Sequence, residues 1–378
     1  MRICLIGPTY PFRGGIAHYT TLLSRHIQAE TAHEALLISF SRQYPRFLYK
    51  GESDQDPSAT PLTTPAEYLL DSLNPLSWWR TARRIARWQP DMVILQWWTP
   101  YWTPVWATIS SLVRRWCPSA RQICICHNVL PHESHWYDDV ALSLAVGRSD
   151  GFIVHSEADG RVLSKVLPER RWATAPIPTY ASLAAPAAEE TLGLPEDRPV
   201  LLFCGLIREY KGLSVLLEAL PKVLRERPVH LAIVGEFWGN SKPTYEAQIA
   251  ELGIAAAVTL RDEYVADELL TAYVRRADVV VLPYRSATQS AVIQLAFGQG
   301  TPVITTNVGG LPEAVDDGQT GLTVPPNNPG ALAAAILRFF DEGMGPRFAA
   351  EIQARQAQFS WQRLLDVIIA LSHEENAR

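Results

Sequence analysis

"VLLFCGLIREYKGLSVLLEAL" occupies residues 200–220. An apolar run stops at Gly205, two cations follow at Arg208 and Lys211, and apolar residues resume at helical spacing beyond Gly212. Strand, glycine turn and helix in that order are the repeating unit of a parallel α/β sheet. The cations and the glycine lie where such a sheet binds ligands, just beyond the carboxyl end of the strand.

The same alternation runs both ways from this stretch. Upstream, "RICLIG" (2–7), "ALLISF" (35–40), "DMVILQW" (91–97), "RQICICH" (121–127) and "GFIVHS" (151–156) read as strands, with helical periodicity at 16–29, 103–116 and 157–167. Downstream, "HLAIVGE" (230–236), "AVTLRD" (257–262), "DVVVLPY" (278–284) and "TPVITT" (301–306) continue the second series. Between the two series, residues 175–199 are rich in Pro, Ala and Glu and carry no periodic apolar face. The expectation is an α/β protein of two doubly wound, Rossmann-like domains facing across a cleft. The domains are placed at 1–180 and 200–358, with a linker at 181–199. A last helix within 359–378, apolar at Trp361, Leu364, Leu365, Ile368 and Ile369, would cross back to the first domain.

Totals are consistent with that reading. A chain of 378 residues exceeds one ordinary core, since domains run to roughly 100–200 residues. The net charge of −5 gives no basic face for nucleic acid. Five cysteines is an odd number, and Cys4, Cys124 and Cys126 lie inside apolar strand-like runs, so buried free thiols in a reducing cytoplasm are expected. No apolar stretch reaches the roughly 18–20 residues of a spanning helix, and the N-terminus lacks a cleavage-site pattern. A cytoplasmic protein, at most peripheral on the inner face of a membrane, is expected.

The other strand ends carry further chemistry. After the first strand, "GPTYPFRGG" places Gly14 and Gly15 before a helix, where backbone N–H groups can approach an anionic or sugar ligand. "CICHNVLPHE" puts His127, Asn128, His132 and Glu133 beyond a buried strand. "TNVGGLPEAV" repeats the layout of strand, glycine pair and helix at Gly309, Gly310 and Glu313. Residues 286–312 contain no charged side chain, although Ser, Thr, Gln and Gly are plentiful.

Taken together, "PFRGG", "CHNVLPHE", "CGLIREYKGL", "VLPYRSATQS", "TPVITTNVGGLPEAV" and "DGQTGLTVPP" resemble the stations of glycosyltransferase family 4, whose members have the GT-B fold. They occur in the family's order over nearly the whole chain. The resemblance implies retaining transfer of a sugar from a nucleotide diphosphate sugar donor to a glycan, lipid-linked or small-molecule acceptor, with no cofactor and no metal. It implies catalytic roles for His127, Arg208 and Lys211, with the two cations on the diphosphate. Donor contacts are implied for Gly14, Gly15, Gly205, Asp262, Tyr264, Thr288, Gln289 and Ser290, and Tyr10, Asn128, His132 and Glu133 are candidates on the acceptor side. The family commonly has two glutamates in the uncharged stretch; Ala287 and Leu295 stand there instead, next to a "TQS" that a related subgroup also carries. Gln289 is the candidate to hold donor hydroxyls in their place. A non-catalytic glycan- or nucleotide-binding protein and a sugar-nucleotide epimerase are the alternatives.

Three further features lie outside these stations. Nine of the twelve tryptophans lie between Trp78 and Trp136, which favours core packing over sugar stacking. The segment 76–89 sets Trp78, Ala82, Ile85 and Trp88 on one side of a helix and Arg80, Arg83, Arg84 and Arg87 on the rest, a pattern suited to an ordinary packed helix or to contact with an anionic membrane. Asp54 and Asp56 form a D-x-D, but in the polar loop "GESDQDPSATP", and are expected to be solvated.

Overall fold

The computed structural model describes residues 1–45, 47, 51, 53–131, 135–181, 183–188 and 192–373. In the first half the strands are β1 (Arg2–Ile6), β2 (Glu34–Arg42), β3 (Glu67–Asp71), β4 (Met92–Trp97), β5 (Arg121–Cys126), β6 (Gly151–Val154) and β7 (Trp172–Thr174). They form a parallel sheet in the order β3-β2-β1-β4-β5-β6-β7. Its helices are α1 (Gly15–Glu30), α2 (Pro75–Trp88), α3 (Thr103–Trp116), α4 (Asp138–Val146) and α5 (Glu157–Val166).

The second half repeats the plan with β8 (Val200–Cys204), β9 (His230–Val234), β10 (Val258–Arg261), β11 (Val279–Leu282), β12 (Val303–Thr306) and β13 (Gly321–Val324), in the order β10-β9-β8-β11-β12-β13. Its helices are α6 (Leu213–Glu226), α7 (Lys242–Glu251), α8 (Asp267–Arg276), α9 (Ala291–Gly298), α10 (Leu311–Ala314), α11 (Pro329–Asp341), α12 (Met344–Ala354) and α13 (Trp361–His373). Strand order reverses between β1 and β4 and between β8 and β11, so each sheet opens a crevice at those carboxyl ends.

Successive strand residues face opposite sides and join different apolar clusters. Ile3, Leu5, Ile94, Ile123 and Ile153 face one side of the first sheet, and Cys4, Ile6, Val93, Cys124 and Phe152 the other. The first of these clusters continues into the second domain through Leu202, Val234, Val280 and Leu282, so one core underlies both halves. Tyr180, Leu183 and Leu192, near or within the stretch read as a linker, are buried in it. The Tyr273 hydroxyl donates to the Leu192 carbonyl at 3.0 Å, which anchors that stretch.

Helix α13 packs on the first sheet. Leu364, Leu365, Ile368 and Leu371 enter the shared cluster, each burial contributing about 1.5–3 kcal/mol. Gly151 eases this approach, because a Cβ there would lie 2.7 Å from the Leu371 side chain and displace it. Trp361 stacks against Tyr180 with centroids 6.2 Å apart.

The sequence reading missed β3, β7 and β13, each five residues or fewer and flanked by polar chain. All five cysteines are free and buried. Of the tryptophans, Trp97, Trp98, Trp102 and Trp106 are core, Phe40 lying 4.7 Å from the ring of Trp102. Trp136, by contrast, is 90% exposed.

The D-x-D loop departs from expectation. Asp54 and Asp56 are half-buried, because the loop pairs with the chain before α1: Arg13 N donates to Asp54 O at 3.0 Å and Asp56 N to Pro11 O at 2.9 Å. Sequence position away from a strand end gave no sign of that docking.

Candidate active site between the two sheets

The carboxyl ends of the two sheets face one another. β8 ends at Cys204, Gly205 turns the chain with φ +98°, and a short helical turn, Glu209–Lys211, leads through Gly212 into α6. Gly212 has φ +70°, and a Cβ there would lie 2.0 Å from the Pro283 carbonyl oxygen, so the turn closes on the end of β11 only with glycine. This places the Lys211 side chain at the switch point of the sheet.

Lys211 is 8% exposed. Its ammonium lies 5.7 Å from the centroid of the Tyr284 ring, just beyond β11. No carboxylate pairs with it among the described residues. Burial lowers its pKa to about 8, the nearby Cys204 opposing and Arg208 adding to the shift. Arg208 lies beside it with its guanidinium 5.2 Å from the centroid of Trp238.

The neighbourhood extends to two helix starts. A Cβ built on Gly205 would sit 3.2 Å from Lys211 Nζ and 3.5 Å from Val292 in the first turn of α9, and one on Gly15 would sit 3.4 Å from Ala291 Cβ. The N-termini of α1 and α9, one from each domain, therefore meet beside a buried lysine. Helix-start N–H groups and a cation converge there, an arrangement suited to an anion.

His127 follows β5, its backbone N–H donating to the Trp97 carbonyl at 2.8 Å. Its Nε2 lies 2.8 Å from Gln96 Oε1, and the Gln96 amide nitrogen donates to Thr20 Oγ1 at 2.8 Å. A carbonyl oxygen can only accept, so His127 carries its proton on Nε2 and leaves Nδ1 as an acceptor. Burial, reinforced by His155, holds its pKa well below the usual histidine value, so the ring is neutral. Gln96 is fully buried in β4 and was not singled out from the sequence, although a lone amide inside "MVILQW" was a legible signal. Gly7 makes room for it, since a Cβ there would lie 2.1 Å from its amide nitrogen.

The uncharged stretch is ordered by its own backbone. Gly309 has φ +53°, and a Cβ there would lie 1.6 Å from the Ala287 carbonyl oxygen. Gly310 N donates to Thr288 O at 2.9 Å, and the Gln289 amide nitrogen donates to Gly310 O at 3.0 Å. Ser290 occupies the N-cap of α9, but its hydroxyl lies 3.4 Å from Tyr284 Oη and makes no capping bond. Leu295 is buried in the shared core and Ala287 packs against it.

Other expected residues make contacts between the two domains or within one of them. Thr288 Oγ1 donates to Asn128 Oδ1 at 2.8 Å, and Gly14 N donates to Tyr264 Oη at 3.0 Å. Asp262 accepts from Phe237 N at 3.0 Å, tying down the loop after β9. Tyr10 accepts the Tyr68 hydroxyl on its carbonyl at 2.5 Å. His132 and Glu133 lie outside the described residues.

Several interdomain contacts among the described residues were not foreseen. Arg13 pairs with Glu236, both buried, and lies over Tyr264 at 4.4 Å. The Glu313 carboxylate accepts from Glu157 N at 2.7 Å and Ala158 N at 3.1 Å, at the start of α5. Glu268 accepts from Thr60 N at 2.6 Å and from the Thr60 hydroxyl. Glu236 follows a strand, so the same positional rule that found Arg208 would have reached it.

Residues 198–342 match the family model described as "Glycosyl transferases group 1". Among curated proteins, the chain is 38% identical over 184 residues to a D-inositol 3-phosphate glycosyltransferase of Streptomyces scabiei, covering 46% of this chain and 41% of that one. It is 35% identical over 190 residues to the Mycobacterium leprae protein of the same name, covering 49% and 44%. The matches span less than half the length of these relatives. Among solved structures, Anabaena HepE in complex with UDP-glucose superposes with a TM-score of 0.73 at 18% identity, covering 99% of this chain and 100% of that one. The catalytic domain of Arabidopsis thaliana starch synthase IV, bound to ADP and acarbose, does so with 0.73 at 14%, covering 100% and 99%. The fold is GT-B, and the resemblance drawn from the motifs is matched by the family model over residues 198–342.

Proposed function

We propose that this chain, whose second domain carries the group 1 glycosyl transferase match within a GT-B fold, is a retaining glycosyltransferase acting on a nucleotide diphosphate sugar. The observation that carries this reading is Lys211: a buried cation with no counter-charge among the described residues, beside Arg208 and the start of α9, at the switch point of the second sheet. An unneutralised buried ammonium is costly unless an anion arrives to offset it.

In this reading the donor diphosphate lies between Arg208, Lys211 and the α9 amides. The bond from the sugar's anomeric carbon to the diphosphate oxygen breaks as negative charge grows on that oxygen, where the cations act most strongly. The acceptor hydroxyl attacks from the face the diphosphate leaves and passes its proton to a phosphate oxygen. Neutral His127, with Nδ1 available to accept, orients a sugar hydroxyl and is not the nucleophile. With Ala287 and Leu295 offering no carboxylate and the Gln289 nitrogen held by Gly310, donor hydroxyls are left to Gln289 Oε1 and backbone groups.

The acceptor is a glycan, a lipid-linked sugar or a small molecule. The test is a panel of UDP-, GDP- and ADP-sugars assayed for transfer, hydrolysis and isomerisation. Transfer with retained anomeric configuration is expected. Isomerised donor would instead mark an epimerase, and binding without turnover a non-catalytic binding protein; either would overturn the reading.

A second observation favours peripheral membrane contact for the first domain. On α2, capped by Asn74 and started by Pro75, Ala82 and Ile85 face the core, whereas Arg80, Arg83 and Arg87 are exposed. Exposed Leu73, Leu76, Trp79 and Trp116 adjoin them. Cations beside protruding apolar side chains suit an anionic lipid surface. No helix of the described residues is long and apolar enough to cross a membrane.

A further inference from the structure

The side chains of His18, Asp56 and Asp267 converge between the two domains, their ligand atoms all within 4.8 Å of one another. His18 stands one turn into α1, Asp56 belongs to the docked D-x-D loop, and Asp267 is the first residue of α8 in the second domain. Asp267 is 1% exposed, and neither of its carboxylate oxygens has a hydrogen-bond partner. The start of α8 offsets part of that charge but gives the carboxylate no hydrogen.

His18 Nε2 lies 3.0 Å from Asp267 Oδ2, yet the two are not aligned as donor and acceptor, and Nε2 is also without a hydrogen-bond partner. An imidazolium paired with a carboxylate would direct its N–H at the oxygen. Two buried ligand atoms this close with no hydrogen bond between them match the spacing of ligands around a third atom. Among the described residues, neither Asp56 nor Asp267 is paired with a lysine or arginine.

The surroundings hold these ligands in place. Ser58 donates through its backbone N at 2.9 Å and its hydroxyl at 2.6 Å to Asp56 Oδ1, leaving Oδ2 for a ligand role. The same hydroxyl accepts from Asp267 N at 2.9 Å. One serine thus fixes the carboxylate of one domain to the helix start of the other, as outer-shell groups do around metal ligands.

We propose that His18, Asp56 and Asp267 form a binding site for one divalent transition-metal cation that ties the two domains together. One imidazole and two carboxylates favour zinc or manganese over magnesium or calcium, which prefer all-oxygen sites. The charge of two carboxylates is matched by a dication. Because the ligands come from both domains, the ion binds the closed arrangement and is released as the domains part, so closure and metal affinity are linked. The role is architectural, with no step of sugar transfer passing through the ion, and the inference stands or falls independently of the proposed activity.

The test uses the untagged full chain, stripped with EDTA and dialysed into chelator-free buffer, titrated calorimetrically with ZnCl₂, MnCl₂ and MgCl₂. One equivalent of zinc or manganese should bind at least a hundredfold more tightly than magnesium. His18→Ala, Asp56→Asn and Asp267→Asn should each weaken that binding tenfold or more. Asp56→Asn keeps the test decisive if the buried variants fail to fold, because Asp56 is half-exposed. Zinc should raise the thermal midpoint of the parent chain and leave that of Asp56→Asn unmoved. Absence of saturable binding, equal binding by parent and variants, or a midpoint that depends on His18 and Asp267 but not on metal would overturn the proposal, the last marking a simple ion pair.

Discussion

The ammonium of Lys211 lies 5.7 Å from the centroid of Tyr284 and 3.2 Å from where a side chain on Gly205 would begin, so a cation occupies the crevice between β8 and β11. If that charge stabilises the departing diphosphate, Lys211→Ala should lower turnover by about 10²–10³ at saturating donor. Steady-state transfer rates check this, and unchanged turnover would refute the assignment.

The depressed pKa of Lys211 gives two pH effects of opposite sense. The functional cation is lost as pH rises through about 8, so kcat/KM, which reports the free enzyme, should fall above that value. From about 8 up to the ordinary lysine value the unfolded chain binds more protons than the folded one, so stability should rise with pH across that window. A pH–rate profile and denaturant titrations over the range separate the effects. Lys211→Arg should remove the alkaline limb attributable to this residue, since guanidinium stays charged.

Glu313 and the start of α5 form a latch between the domains. Glu313→Gln removes the charge that the helix N-terminus favours and should cost the closed arrangement about 1 kcal/mol. The expected readouts are a larger radius of gyration in solution scattering and nucleotide affinity weakened about fivefold, since 1.4 kcal/mol is a factor of ten. An unchanged radius with unchanged affinity would remove the latch.

Gly309→Ala sets a methyl group against the Ala287 carbonyl in a left-handed backbone conformation. Loss of about 3 kcal/mol or more is expected, from strain added to overpacking. Thermal unfolding of the variant measures it, and a midpoint within a degree of the parent would contradict the close packing.

Cosedimentation with vesicles rich in anionic lipid should be detectable at low salt and fade at high salt, because surface charge is screened within a Debye length. Arg80→Glu combined with Arg83→Glu and Arg87→Glu should abolish it. No cosedimentation of the parent chain at low salt would exclude the membrane-facing role of α2.

Much of the architecture was legible because its signals are local. Buried parallel strands such as Val200–Cys204 and Val279–Leu282 are continuous apolar runs, and a glycine such as Gly205, directly after the first, marks a turn that other residues rarely make. The position of Arg208 and Lys211 after β8 was legible by the same rule. Short edge strands escaped, since β3, β7 and β13 have too few residues to show a period.

By itself the sequence determined the two α/β series, the glycine turns and the residue types offered at the strand ends, since each depends on neighbours within a few positions. Only the tertiary structure decided which of those residues meet. It set Gly15 against Ala291, bound the Gln289 nitrogen to Gly310, turned His127 toward Gln96 and brought Asp56 to His18 and Asp267. These contacts join residues dozens to hundreds of positions apart, or, for Gln289 and Gly310, across a helix and a strand. They depend on how packed elements are oriented, which local spacing does not encode.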